Sequence, residues 1–250
     1  MTLNSPLHHR SLWSLDGLTG RDLASLLDTA RSLKAAELAG HPQQPLRGKN
    51  IAVMSEVAEG PALQGFTAAA TALGARVAHI RPSVSQETAQ LLGRLYDAIE
   101  CEGLTGDALR DIDRSAGRPV FNGLGEPGHP LRVLGDLMTL REHSGKPMKD
   151  ITVSFRGNTN SPDARAWQQS AALAGFSLRM GEPVQATSCT EGAGCTDFIW
   201  DEQRNHRCAD GRVELACGCN AGSPAHAPLG SEQMANQRYA LQALLCSAVA

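Results

Sequence analysis

The sequence predicts an α/β protein of two domains, each with a central parallel sheet flanked by helices. Three observations predict it. Short apolar runs alternate with longer amphipathic stretches along the chain, the pattern of strands joined by crossover helices. Glycines close several of the longer stretches, at Gly40, Gly74, Gly145 and Gly175. The pattern pauses at the hinge-like Gly145-Lys146-Pro147 and restarts at Met148-Lys149-Asp150. The expected division is 1–147 and 148–230, the second part shortened and Cys-rich, with a last helix over 231–250.

The first helix opens at Thr19-Gly20-Arg21-Asp22, where Thr19 is suited to N-cap, Asp22 complements the dipole and Leu18 can staple onto Leu23. Leu23, Leu26, Leu27, Ala30, Leu33 and Leu38 form one stripe. Beyond a Pro-rich loop come a strand at Ile51–Met54, a helix over Leu63–Leu73 and a strand at Arg76–Ile80. A helix over Ser85–Leu95, a strand at Asp97–Ile99 and a helix over Asp107–Ser115 follow. Pro119–Phe121 is a short buried strand, and a Gly/Pro loop leads to a helix from Pro130 to His143 with Leu131, Leu134, Leu137, Met138 and Leu140 at helical spacing. The second part reads as a strand at Ile151–Phe155, a helix over Pro162–Ala174, strands at Phe176–Met180 and Thr196–Trp200, and the closing helix from Ser231.

With 250 residues, 42% apolar and 4% aromatic, the chain has ample length for a core. A net charge of −3 gives no footprint for nucleic acid or an anionic membrane. No apolar run is long enough to span a bilayer, and the N-terminus lacks the apolar core of a signal peptide, so a cytoplasmic protein is expected. Seven cysteines include Cys189, Cys195, Cys208, Cys217 and Cys219, spaced unlike a zinc ribbon or finger. Cys217, Cys219, Cys208 and His206 can supply four soft ligands, which keeps a metal- or thiol-based module open, but the expectation is no metal and no cofactor.

His129-Pro130 stands at a loop–helix junction. Proline suits the first helical turn, and a histidine beside orphan N–H groups suits a developing anion. An ordinary capping turn accounts for the same two residues. The stretch around them, Asn122-Gly123-Leu124, His129-Pro130-Leu131-Arg132, Asp136-Leu137, Thr139 and Glu142-His143, resembles the signature of the transcarbamylases, above all the ornithine type. The resemblance runs along nearly the whole chain, from Leu15–Lys34 to the last helix, although the chain is shorter than is usual for the family. It implies two α/β domains with the last helix crossing back onto the first, transfer of a carbamoyl group from carbamoyl phosphate to an amine, and a homotrimer.

The family's site residues are carried over one at a time. The catalytic histidine is His129, and the glutamine three residues on is Arg132. The phosphate-binding Ser-Thr-Arg-Thr-Arg falls on Glu59, Gly60, Pro61, Ala62 and Leu63, without one arginine or hydroxyl. The arginine after the third strand is Glu102, and that of the last helix falls on Gln237. On the amino-acid side only Asn160, Glu202 and Cys217 match, as vestiges. Charge-assisted hydrogen bonds are worth about 1.5–3 kcal/mol each. Three lost cations thus cost about 4–9 kcal/mol, a thousandfold to a millionfold in affinity. The expected function is therefore that of an ornithine-carbamoyltransferase-like protein, catalytically impaired or inactive, with a binding role or as partner of an active carbamoyltransferase subunit. The alternative is an active, diverged transcarbamylase. Arg132 is expected to pair with Glu102 or else Glu59, closing the old phosphate pocket from within.

Overall fold

The computed structural model describes residues 7–57, 59–104, 106–125, 129–181, 196–201, 212–215 (backbone) and 229–250. An extended arm comes first. Leu12 bridges Phe121 in parallel, the Trp13 indole N–H donates to the Val120 carbonyl at 2.8 Å, and the Val120 N–H donates to Ser11 Oγ at 2.9 Å. The arm thereby covers one edge of the first sheet, where open backbone groups would otherwise stand. Helix α1 (Gly20–Leu38) starts in a capping box, with the Asp22 N–H on Thr19 Oγ1 at 3.2 Å and the Thr19 N–H on Asp22 Oδ2 at 2.8 Å. Its buried stripe ends at Leu33. Leu38, read as part of it, is 76% exposed, because the helix outruns its partners by a turn.

The first sheet contains β1 (Asn50–Met54), β2 (Arg76–Ile80), β3 (Ala98–Cys101) and β4 (Val120–Phe121). They are joined in turn by α2 (Pro61–Ala72), α3 (Gln86–Leu95) and α4 (Gly106–Ala116). The order is β2-β1-β3-β4 and every pairing is parallel. Helix α2 begins two residues earlier than the sequence suggests, since Pro61 fits its first turn. The helix expected from Pro130 opens as a 3-10 turn (Pro130–Arg132) before α5 (Val133–Ser144).

The second sheet holds β5 (Thr152–Arg156), β6 (Ser177–Met180), β7 (Phe198–Asp201) and β8 (Arg212–Leu215), with α6 (Pro162–Ala174) between β5 and β6. Its order is β6-β5-β7-β8. Its central strand β5 pairs in parallel with β6 and β7 as expected, and β8, which the sequence did not predict, adds an antiparallel edge beside β7. The fourth strand, Arg212-Val213-Glu214-Leu215, alternates polar and apolar residues over four positions only.

The last helix, α7 (Gly230–Val249), packs against α1, α2 and α5. Gly135 permits the contact with α5, since a Cβ there would stand 2.6 Å from Gln237 Cα. The main apolar cluster gathers residues of both sheets, including Ile51, Phe121, Val153 and Phe155, together with Leu244 and Leu245 of α7. A smaller one lies under α3 and α4, around Met54, Leu92, Ile99 and Ile112. Among the described residues no helix is long and apolar enough to cross a membrane.

Candidate functional site

Parallel α/β sheets offer their ligand crevices beyond the carboxyl ends of the strands, and His129 follows the end of β4. Glu100, fully buried in β3, accepts the Gly123 N–H at 2.5 Å and the Leu124 N–H at 3.1 Å. This carboxylate fixes the loop that leads to His129. Gly125 then passes the first turn of α2 so closely that a Cβ would lie 2.4 Å from the Ala62 carbonyl oxygen.

His129 Nδ1 accepts the Leu131 N–H at 3.2 Å. The capping reading and the functional one are therefore compatible, because the cap uses only one ring nitrogen. With Nδ1 as acceptor, the neutral ring carries its proton on Nε2. That nitrogen is buried and makes no hydrogen bond of regular geometry among the described residues, although the Asn122 backbone lies near enough to favour the charged ring. Burial, assisted by the Arg132 charge, lowers the imidazole pKa to about 4. At neutral pH His129 is an uncharged N–H donor.

Arg132 sits beside it. Its Nη2 donates to Gln237 Oε1 at 2.6 Å, and Gln237 Nε2 in turn reaches Asp136 Oδ1 at 3.5 Å. Asp136, buried on α5, also accepts the Gln233 amide at 2.8 Å and the Trp200 indole N–H at 3.2 Å. One carboxylate thus ties α7 and the second sheet to the floor of the cleft. Trp200 stacks on Phe155 at 4.7 Å between ring centroids and tilts against Trp167 at 6.1 Å. His129, Arg132, Asp163, Trp167, Trp200 and Gln237 are among the residues that enclose a cavity of 20 Å³, room for about one water. The two indoles line the same cavity as the imidazole.

Among the described residues singled out, the structure brings together His129 and Arg132, and places Pro61 in a groove that Arg132 also lines. Glu59 is exposed; Gly60 and Pro61 start α2 with no side-chain cap, Ala62 is half-buried, and the Leu63 side chain enters the core. Glu102 is half-buried after β3, its N–H on the Met54 carbonyl at 2.9 Å. Asn160 is exposed, its backbone N–H on Asn158 Oδ1 at 3.0 Å. Glu202, Cys217 and the other cysteines of the 189–219 region, with His206, lie outside the described residues. The expected pairing needs correcting, since among the described residues no ion pair joins Arg132 to Glu102 or Glu59. Its side chain turns to α7 and takes the Gln237 carbonyl. No group of metal-ligating side chains occurs among the described residues. Cys101 and Cys246 are free thiols whose pKa burial raises, that of Cys246 to about 12.

Gln237, Asp136, Trp167 and Trp200 complete the site, and the sequence held a signal for the first. Where the resemblance expects glutamine and arginine, the chain has Arg132 and Gln237, a reciprocal exchange between positions that touch. The signature residues Asp136, Thr139 and Glu142 act as helix staples. Asn236 Nδ2 donates to Thr139 Oγ1 at 3.0 Å and to Glu142 Oε2 at 2.8 Å. Lys34 Nζ donates to Asn236 Oδ1 at 2.9 Å and to Glu142 Oε2 at 2.8 Å. Asp136, Thr139 and Glu142 thereby bind α5 to α7, and through Lys34 to α1.

Two α/β sheets share one core, and His129 and Arg132 line a small cavity together with Trp167 of α6 and Trp200 of β7. Residues 10–142 match the model of the aspartate/ornithine carbamoyltransferase carbamoyl-P binding domain, and the chain belongs to that family. It is 38% identical over 185 residues to the catabolic ornithine carbamoyltransferase of Pseudomonas putida, a match covering 71% of this chain and 55% of that protein. Its identity to the Burkholderia mallei counterpart is 40% over the same shares. The chain thus spans about half the length of the curated relatives it matches. Among solved structures it resembles ornithine carbamoyltransferase from Pyrococcus furiosus, with a TM-score of 0.70, 20% identity and coverage of 97% of this chain and 98% of that one. Aspartate transcarbamoylase from Trypanosoma cruzi in complex with N-(phosphonacetyl)-L-aspartic acid gives 0.69 at 16% identity, covering 99% of both chains. At such identities these two structures show the fold.

Proposed function

We propose that this chain is an ornithine-carbamoyltransferase-like protein that does not carry out ordinary ornithine carbamoylation and serves as a ligand-binding or partner subunit. The observation that carries the reading is the start of α2. A phosphate needs cations and N–H donors there, but the first turn presents Glu59, Gly60, Pro61 and Ala62, with no side-chain hydrogen bond at the cap. The Arg132–Gln237 exchange keeps one guanidinium in the cleft, and the other three are still missing.

The test is citrulline formation from carbamoyl phosphate and ornithine, with calorimetric titration of a bisubstrate phosphonate. No turnover and no heat are expected; turnover near that of active relatives would sink the proposal. A homotrimer, or assembly with an active carbamoyltransferase subunit, belongs to the same reading. A monomer by light scattering, alone and after mixing with such a subunit, would remove it. One observation favours the second reading, an active diverged transcarbamylase. A neutral Nε2–H without a regular hydrogen bond among the described residues, beside a guanidinium, is the donor a carbamoyl oxygen requires as an amine attacks its carbon and phosphate leaves. Carbamoylation of another amine in a substrate panel would establish it.

A further inference from the structure

A separate space of 300 Å³, about ten times the volume of a water in the liquid, lies where α7 meets the C-terminal ends of α1 and α2. It shares no lining residue with the His129 cavity. Its floor is apolar: Leu33 and Leu73 are buried there, and Pro42 and Ala72 complete it.

The charges on this space cancel. Glu37 and Arg238 are the only charged residues of its described lining, and they pair at 2.8 Å. Arg238 Nη2 also donates to Tyr239 Oη at 2.9 Å, and the guanidinium carbon lies 4.5 Å from the Tyr239 ring centroid. The pair is thus held in place from α7, while Nη1 and Nε carry further N–H donors and the carboxylate further lone pairs. Beside it stands Gln242, only 3% exposed. Among the described residues its amide makes one hydrogen bond, a long one from Nε2 to the Ala69 carbonyl at 3.4 Å. A buried carboxamide in this state leaves its oxygen to whatever enters the cavity. Gln43 and Gln44, exposed on the loop after α1, bring two more amides to the rim.

Amides and a made ion pair offer donors and acceptors together without net charge. An anion would meet Glu37, a cation Arg238, and a zwitterion would have to compete with the pair already formed. A hydroxyl is both donor and acceptor, so several on one small carbon frame match this lining, and the C–H faces of the frame suit the apolar floor. We infer that the space between α1, α2 and α7 binds a neutral polyol of about monosaccharide size, its hydroxyls on Glu37, Arg238 and Gln242 and its carbon frame over Leu33 and Leu73. The site does not depend on the proposed loss of the phosphate site.

Calorimetric titration and saturation-transfer NMR of the full chain with glucose, galactose and mannitol test this, with cyclohexanol, glucuronate, glucosamine and leucine as controls. At least one of the three polyols is expected to bind at least tenfold tighter than every control, about the effect of two neutral hydrogen bonds. Ala72 is exposed at the last turn of α2, so Ala72→Trp fills the space without disturbing the core. It should weaken that polyol at least tenfold at an unchanged melting temperature. Glu37→Gln leaves the guanidinium uncancelled and should raise the affinity for glucuronate above that for the polyol. No binding by any of the three polyols, equal binding of cyclohexanol, or tighter binding of glucuronate, glucosamine or leucine to the parent chain would overturn the proposal. Binding unchanged in Ala72→Trp would overturn it as well, by placing the ligand elsewhere.

Discussion

In the first sheet the Asn50 N–H donates to Asp97 Oδ2 at 2.8 Å, and in the second the Thr152 N–H donates to Asp197 Oδ2 at 2.8 Å. Each aspartate returns its own N–H to the carbonyl of the same partner, again at 2.8 Å. A lysine approaches each carboxylate, Lys49 at 3.9 Å and Lys146 at 2.6 Å. The third strand of each half is thus clamped to the start of the central strand by the same device. The carboxyl ends of those strands differ. Glu100 of β3 turns inward to hold Gly123 and Leu124, whereas Trp200 of β7 reaches across to Asp136 on α5. Strand starts perform a packing task that any such sheet needs, while strand ends face the crevice and carry the changes in chemistry.

The largest effect should come from Glu100→Ala, which breaks the first sheet's end of the comparison. It leaves two buried N–H groups without an acceptor, at about 1–3 kcal/mol each, so a loss of about 2–6 kcal/mol is expected in urea unfolding. A loss under about 1 kcal/mol would mean the loop does not depend on Glu100.

Acid should act through the same end. His129 has a folded pKa of about 4 against an ordinary 6.5. Between those values the unfolded chain binds the proton and the folded one does not, so stability rises with pH across the window. The loss is expected to begin as pH falls through 6.5 and to be complete below 4, amounting to about 3 kcal/mol. His129→Gln should flatten that limb of the stability–pH profile, and an unchanged slope would place the titration elsewhere.

The strand starts give a sharper, smaller comparison. Asp97→Ala and Asp197→Ala should each cost about 1–3 kcal/mol through an orphaned strand N–H. Asp197 should be the costlier because its lysine is closer; a clear reversal in paired denaturation curves would end the equivalence. Smallest of all, Asp111→Ala removes an ion pair to Arg114 between side chains 61% and 72% exposed. It should leave the midpoint within about 0.5 kcal/mol of the parent, as surface pairs do.

By itself the sequence determined the succession of elements except β8, the capping box of α1, the parallel pairing implied by crossover helices, and His129 at a strand end. These are written in spacing, caps and breakers that act over a few residues, where each turn or pleat repeats its own instruction. It also displayed the exchange of Arg132 and Gln237, without saying that they meet. Only the tertiary structure decided that contact, because the two lie 105 positions apart and their separation depends on how α7 settles across α5. The same packing turned Asp136, Thr139 and Glu142 into staples, placed Trp167 and Trp200 in the lining of the cavity that holds His129, and brought Arg132 to the Gln237 amide. The physical reason is one of range: a helix or strand is fixed by neighbours in sequence, but the shape and charge of a crevice are fixed by side chains that only the folded core brings within hydrogen-bonding distance.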